Sequence, residues 1–481
     1  MEPNRSSGFP GAKTAQAVES SGVAKHPTTL GVNEKPRLGG KKVRCPHEIV
    51  SFHLAGGTAL AIFPRVNGRL QICFMSAIFL APALMAGEPL PHQVYVWPRA
   101  WTLPVREAVV EHATNFSETA VLLAEVAWKN KIPEVVRVAV DFPALAKTHC
   151  PVGLVLRVGP FAGALAENKM AVNFLAGLAA SLVAEAQTNQ VGPVELQIDF
   201  DCAESKLEDY RLWLAAIQKR LAPLPVTITA LPSWLNSPAF TRLAAASTNY
   251  ILQVHSLTKP TGIKSPFTLC DPIAAKRAVT RAGEMGVPFR VALPTYTYIV
   301  AFNAAGKFIG LSAEAPRANW PAGTQLRAMS ADPLALSSLV QTWNTNRPAA
   351  LRGVIWYRLP VAVDNLNWRW PTLGAIISGR EPREKFQAVA RRVEPGLVEI
   401  SLENTGELDI SSRLAVAVRW TEARLVAGDG LRDFELAEQN VSAAKFQNIT
   451  ASFRLPAGEK QTIGWLRLDQ DREVQVEVKN F

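Results

Sequence analysis

The chain of 481 residues is short of cysteine: it holds five, and only Cys150, Cys202 and Cys270 lie beyond residue 90. There is no CxxC pair and no HExxH, so the spacing that a structural zinc or a zinc hydrolase needs is missing. No strand-like segment runs into a glycine-rich phosphate loop, which excludes the common nucleotide-binding arrangement. The net charge is +10, yet beyond residue 90 no Lys/Arg cluster interleaves with aromatics. Half of the excess is local: residues 1–90 hold 10 of the 51 Lys and Arg and 5 of the 41 Asp and Glu, leaving 41 against 36. No nucleic-acid partner, cofactor or metal ion is therefore expected. The rest of the composition, 48% hydrophobic and 19% charged, is that of a globular chain long enough for two or three domains.

Residues 1–64 are polar, basic and rich in Gly, Ser and Pro, and disorder is expected there. Arg65 and Arg69 then precede an apolar run from Leu70 to Met85, followed by small residues and prolines. That is the layout of a secretory signal peptide over 65–87, with cleavage near Ala83, Ala86 or Gly87. Such a signal belongs at an N-terminus, so a start assigned too far upstream is the simplest reading of residues 1–64. The alternative is a membrane anchor, but the run falls short of the ~20 apolar residues that span a bilayer. A periplasmic or secreted protein with no stable membrane span after cleavage is expected.

From residue 92 a short apolar strand, a loop and an amphipathic helix recur. Strands are expected at 93–101, 121–128, 152–158, 194–201, 226–234, 250–257, 289–298 and 353–360. Helices at 168–187 and 206–221 repeat apolar residues at i, i+3, i+4 and i+7, and those at 271–286 and 332–346 open on Asp-Pro. Eight such units predict an α/β fold, a (β/α)8 TIM barrel over 91–380. An extra strand within 133–145 reads as a hairpin on its outside. The competing fold, an open doubly wound sheet, lacks its phosphate loop. After Arg380 the pattern alternates and turns at Asn404–Thr405–Gly406 and Pro456–Ala457–Gly458, predicting a small antiparallel β-sandwich-like domain over 385–481.

The stretch VELQIDFD at 194–201 points to a site. Its alternation puts Glu195, Gln197, Asp199 and Asp201 on one face. In a parallel barrel that face is the interior, and the C-terminal ends of the strands form the mouth where active sites sit. The same alternation brings Trp97, Glu125, Arg157, His255, Tyr296, Trp356 and Arg358 to the mouth, with Trp234 at the end of the fifth strand. Carboxylates, arginines, a histidine and tryptophans around one opening suit a carbohydrate, since flat rings stack on sugar faces and acids handle a glycosidic oxygen. Plainer readings stand beside these. Glu125 and Arg157 can be a structural ion pair, His255 a hydrogen-bonded core residue, and most of the tryptophans packing. Cys202 and Cys270, both near the mouth, are candidates for a disulfide.

The motifs HQVYVWPRAW, QIDFDC, ITALPSWL, LQVHSL, LCDP, RVALPTYTY, GVIWYRLP and LNWRWPTL, in this order over about residues 91–375, resemble the bacterial family called domain of unknown function 3142. That resemblance implies an exported barrel but no activity. More distantly the chain resembles chitinase-like glycoside hydrolase barrels, whose fourth strand ends in D-x-D-x-E. Here Ala203 stands at the position of the catalytic Glu and Glu204 is one residue late, so that role cannot be carried over. A glycoside hydrolase-like protein acting on a polysaccharide or oligosaccharide is the leading expectation, with Asp201 as general acid and Asp199 as its partner. A non-catalytic carbohydrate-binding barrel and an envelope assembly protein are the alternatives.

Overall fold

Eight parallel strands close on themselves. The structure, a computed structural model, describes residues 88–130, 132–161, 169–200, 202–256, 260–313, 319–450 and 453–480. The polar stretch 1–64, the expected leader at 65–87 and Asp201 lie outside the described residues.

The first part of the chain supplies β1 (His92–Val96), β2 (Glu118–Lys129), β3 (Ile132–Arg137), β4 (Val152–Val158), β5 (Pro193–Phe200) and β6 (Val226–Ala230). There follow β7 (Tyr250–Gln253), β8 (Phe289–Pro294), β9 (Thr297–Phe302), β10 (Phe308–Ser312), β11 (Gln325–Ser330) and β12 (Leu351–Tyr357). Strands β1, β2, β4, β5, β6, β7, β8 and β12 pair in that order, and β1 pairs with both β2 and β12, which closes the barrel. β3 folds back antiparallel on the end of β2, outside the closed ring. Sequence alternation has a physical basis in β5. Leu196, Ile198 and Phe200 face the helices, where Phe200 stacks on Trp213 at 5.6 Å, and the polar residues face inward. The Asp-Pro helix starts act as caps: Asp271 accepts from the Ile273 and Ala274 amides, and Asp332 from those of Leu334 and Ala335.

One excursion is not legible in the pattern. The segment expected to be a single strand over 289–298 breaks after Pro294, and β9 pairs antiparallel with β10 and β11 as a separate small sheet. Arg327 on β11 donates to the Ile263 and Ser265 carbonyls, tying that sheet to the segment after β7.

Beyond the barrel come β13 (Phe386–Glu394), β14 (Leu397–Asn404), β15 (Leu414–Trp420), β16 (Leu425–Gly430), β17 (Phe434–Gln439), β18 (Ala443–Asn448), β19 (Lys460–Leu468) and β20 (Val474–Asn480). They make two four-stranded sheets, β13-β14-β19-β16 and β17-β18-β15-β20, over a shared core that includes Ile400, Leu402, Val416, Phe446 and Leu466. Arg454 joins this sandwich to the barrel. It donates to Asp409 on its own side and to the Asn365 carbonyl, at 2.8 Å, on the other.

The barrel floor is polar. Arg290 of β8 reaches across the lumen, giving one nitrogen to both oxygens of Glu195 on β5 at 2.8 Å and another to Gln93 on β1 at 2.7 Å. That second nitrogen also lies 3.5 Å from Glu118 of β2. Glu195 accepts further hydrogen bonds from Thr227 and Gln197. Gly153 makes room, because a Cβ there would lie 2.3 Å from a Glu118 oxygen. Burial pushes the Glu195 carboxyl up, but the Arg290 guanidinium and its other donors more than offset this and hold it below the usual range. Glu118 goes the other way: burial, then the nearby Glu195 charge, raise it from 4.5 to about 8 despite Arg290.

Folded Glu118 thus keeps a proton that the unfolded chain loses near pH 4.5. Its contribution to stability is complete below that pH and is lost as pH rises through about 8. Urea unfolding at pH 5, 6.5 and 8 is expected to show a decline in stability that Glu118→Gln flattens. A variant with the wild-type slope would contradict this assignment.

Candidate functional site

Above the floor, at the C-terminal ends of the strands, lies a cavity of about 230 Å³. Its aromatic wall comes from Tyr95 and Trp97 at the end of β1, Tyr296 and Tyr298 after β8, and Tyr357 at the end of β12. The chain has six tyrosines in all, and four of them line this one space. The rings brace one another edge to face: Trp97 meets Tyr357 at 4.8 Å, and Tyr296 meets Tyr357 at 5.4 Å.

The charged groups at the mouth are already opposed. Arg157 lies 3.8 Å from Asp199 and 3.4 Å from Glu125, and its guanidinium sits over Trp97 at 5.8 Å from the ring centre. Arg99 grips Glu125 with two hydrogen bonds of 2.7 and 3.1 Å. Asp199 also accepts from Thr229 at 2.9 Å.

A chain of hydroxyls runs along the opposite wall. Ser256, whose backbone takes a left-handed φ of 59°, donates its single hydroxyl hydrogen to the Tyr298 oxygen at 2.7 Å. The 2.6 Å contact between Ser256 and Tyr296 therefore has Tyr296 as donor. Tyr296 in turn has to accept across its 3.2 Å contact with His255 Nδ1. Burial lowers the His255 pKa from 6.5 to about 3, so the ring is neutral with its hydrogen on Nδ1. Nε2 is then the acceptor. The same burial raises the Tyr296 phenol well above its usual range.

The structure brings together Trp97, Arg157, Asp199, His255 and Tyr296 around this cavity, and Glu125 stands just behind Arg157. Three other expected residues sit elsewhere. Trp234 is 1% exposed and packs against Phe240, because the turn Pro232–Trp234 tucks its ring beneath the following helix. Trp356 is fully buried on the outer face of β12, where its Nε1 donates to His92. The inward parity of that strand falls on Tyr357, one residue away from the phase expected. Arg358 pairs with Asp364 and lines a neighbouring cavity on the far side of Trp97. Asp201 lies outside the described residues. Cys202 and Cys270 are free thiols, not a disulfide, since β6 separates the fourth barrel strand from the sixth. Tyr298, Tyr357 and Ser256 went unnoticed in the sequence. For Tyr357 a signal was available, since an aromatic at a strand end is a candidate in either parity. Among the described residues no cluster of three metal-ligating side chains occurs.

The comparisons with known proteins follow the same division of the chain. Residues 151–362 match the family described as domain of unknown function DUF3142. Residues 387–469, in the sandwich, match a second, domain of unknown function DUF8456. No curated protein matches the chain by sequence. Similar solved structures include a chitinase from Chromobacterium violaceum, at 13% identity and a TM-score of 0.44 over 60% of this chain and 98% of that one. The spore cortex-lytic enzyme SleL from Bacillus megaterium has 13% identity and a TM-score of 0.44 over 61% and 74%. Chitinase ChiA74 from Bacillus thuringiensis has 10% identity and a TM-score of 0.39 over 82% and 100%. These likenesses are weak, and the barrel rests on its own strand order.

The hydroxyl chain makes a spectroscopic expectation. The ¹⁵N shifts of His255 are expected to report a neutral ring protonated at Nδ1 from pH 5 to 9, and Tyr296→Phe is expected to release it toward the Nε2-protonated form. Titration near the usual 6.5, or Nε2 protonation in the wild type, would contradict the donor order.

Proposed function

We propose that the chain is an exported carbohydrate-binding barrel that takes a sugar unit of an oligosaccharide or polysaccharide at its mouth. The observation that carries this reading is the cavity itself. Its aromatic rings are braced for stacking, its hydroxyls and the Gln253 amide line the same space, and its charges are opposed in pairs. A neutral histidine adds an acceptor. Such a lining suits an uncharged polyol better than an anion or a cation, because the charges among its described residues cancel. Export is proposed from the basic and apolar segment Arg65–Met85.

Hydrolysis is the second reading, and Asp201 favours it. Two residues beyond Asp199 in the sequence, it has the same parity as Asp199 and is the candidate general acid, with Asp199 orienting the ligand. The experiment compares the full chain with its Asp199→Asn and Asp201→Asn variants against a polysaccharide panel, reading both binding and reducing-end release. The proposal expects binding by the wild type that Asp199→Asn weakens by about tenfold, the scale of one lost charge-assisted hydrogen bond. Release by the wild type but not by Asp201→Asn would make the barrel a hydrolase. Neither binding nor release would contradict both readings.

A further inference from the structure

Trp97 has a cavity on each side. The second one, of about 370 Å³, lies between the end of β1 and the segment that follows β12. Its wall includes Pro98, Val105, Val361, Val363 and Leu366, and Val363 is 66% exposed. It also contains two arginines and a carboxylate, but each is already engaged within the protein. Arg99 is held by Glu125, and Arg358 is paired with Asp364 while also donating to the Ala313 carbonyl at 3.2 Å. Asp364 is occupied a second time by the Leu366 amide at 3.0 Å. Thr102 and Asn365 add a hydroxyl and an amide to the lining, and most of the surface left to a ligand is apolar. The first cavity, with its converging hydroxyls and amide, is the reverse.

The second cavity is built in advance. Arg369 bonds to the Asn365 side chain and to the Ala362 carbonyl, and Arg454 of the sandwich bonds to the Asn365 carbonyl. The segment bearing Val361, Val363 and Leu366 is thus fixed from both domains before any ligand arrives, so binding pays little to order it. Trp97 lines both spaces, so the two cavities are neighbours across one ring.

We propose that this second cavity receives an apolar substituent, an alkyl or acyl chain carried by the sugar in the first cavity, so that the ligand is an amphiphilic glycoside. The proposal rests on the saccharide reading above. A second sugar ring is the competing occupant, and with both arginines held by Glu125 and Asp364 it would find only Thr102 and Asn365 as polar partners.

The test measures binding of methyl and octyl β-D-glucopyranoside, below the micelle-forming concentration, to the full chain by calorimetry. Each buried methylene is worth about fourfold in affinity, so partial burial of the chain is expected to make the octyl compound bind at least about tenfold tighter. Val363→Asp, at an exposed position that leaves folding intact, is expected to remove most of that gain. Equal affinity of the two glucosides, a gain that survives Val363→Asp, or no binding of the octyl compound would overturn the proposal. Asp199→Asn separates the two readings. It is expected to weaken both glucosides alike. An alkyl gain that depends on Val363, together with indifference to Asp199→Asn, would support the apolar cavity while overturning the saccharide reading of the first.

Discussion

The guanidinium of Arg290 inside the barrel lumen is the constraint on which the rest depends. Burying it costs several kcal/mol of lost hydration, and an apolar filling of the same volume would be about as stable. What the charged floor adds is register. Gln93, Glu118, Glu195 and Arg290 come from four strands. A one-residue slip in β5 or β8 would turn its member outward and leave a buried charge without its partner, and one in β1 or β2 would take a polar neighbour from Arg290. The floor therefore fixes the phase of β1, β2, β5 and β8 relative to one another, and with it which side chains reach the mouth. Tyr95 and Trp97 rise from β1 two and four residues beyond Gln93, and Asp199 from β5 four residues beyond Glu195.

Above this layer the chemistry changes from charge to neutral polarity. Asp199 and Arg157 face one another, His255 is neutral, and the tyrosine hydroxyls relay a single direction of hydrogen bonding. The two levels differ because the floor is buried and its Arg290 and Glu195 charges must pair with one another, whereas the mouth must leave donors and acceptors for a ligand. Arg454 and Arg369 extend the same principle outward, fixing the segment after β12 through its carbonyls and leaving its apolar side chains uncovered.

Much of the architecture was legible. Period-two strands alternating with period-3.6 helices forced a closed parallel barrel, and the expected segments at 152–158 and 194–201 coincide with β4 and β5 to within a residue. The polar face of β5 was read correctly as interior, but of its described residues only Asp199 belongs to the mouth. Glu195 and Gln197 serve the floor, and nothing in a local pattern says how deep in a barrel a side chain lies. Arg290, within the apolar run FRVAL, was the signal that the floor is charged, because an arginine on an inward parity has to find carboxylates. Parity at β12 was misread by one position, which placed Trp356 at the mouth in place of Tyr357. Both are aromatic, and only the pairing of Val354 with Val291 on β8 distinguishes the two phases. The β9–β11 sheet was missed because a short antiparallel excursion looks like a continuation of the strand before it.

The scarcity of tyrosine offers the most direct measurement of the central claim, that the barrel mouth is where a saccharide binds. With tyrosine rings selectively labelled, the NMR spectrum of the full chain would carry six signals, four from the cavity and two, Tyr210 and Tyr250, from side chains buried in the fold. On addition of a glycan that binds, Tyr95, Tyr296, Tyr298 and Tyr357 are expected to shift while Tyr210 and Tyr250 stay in place. Saturable binding that moves none of the four would place the sugar elsewhere and contradict the account.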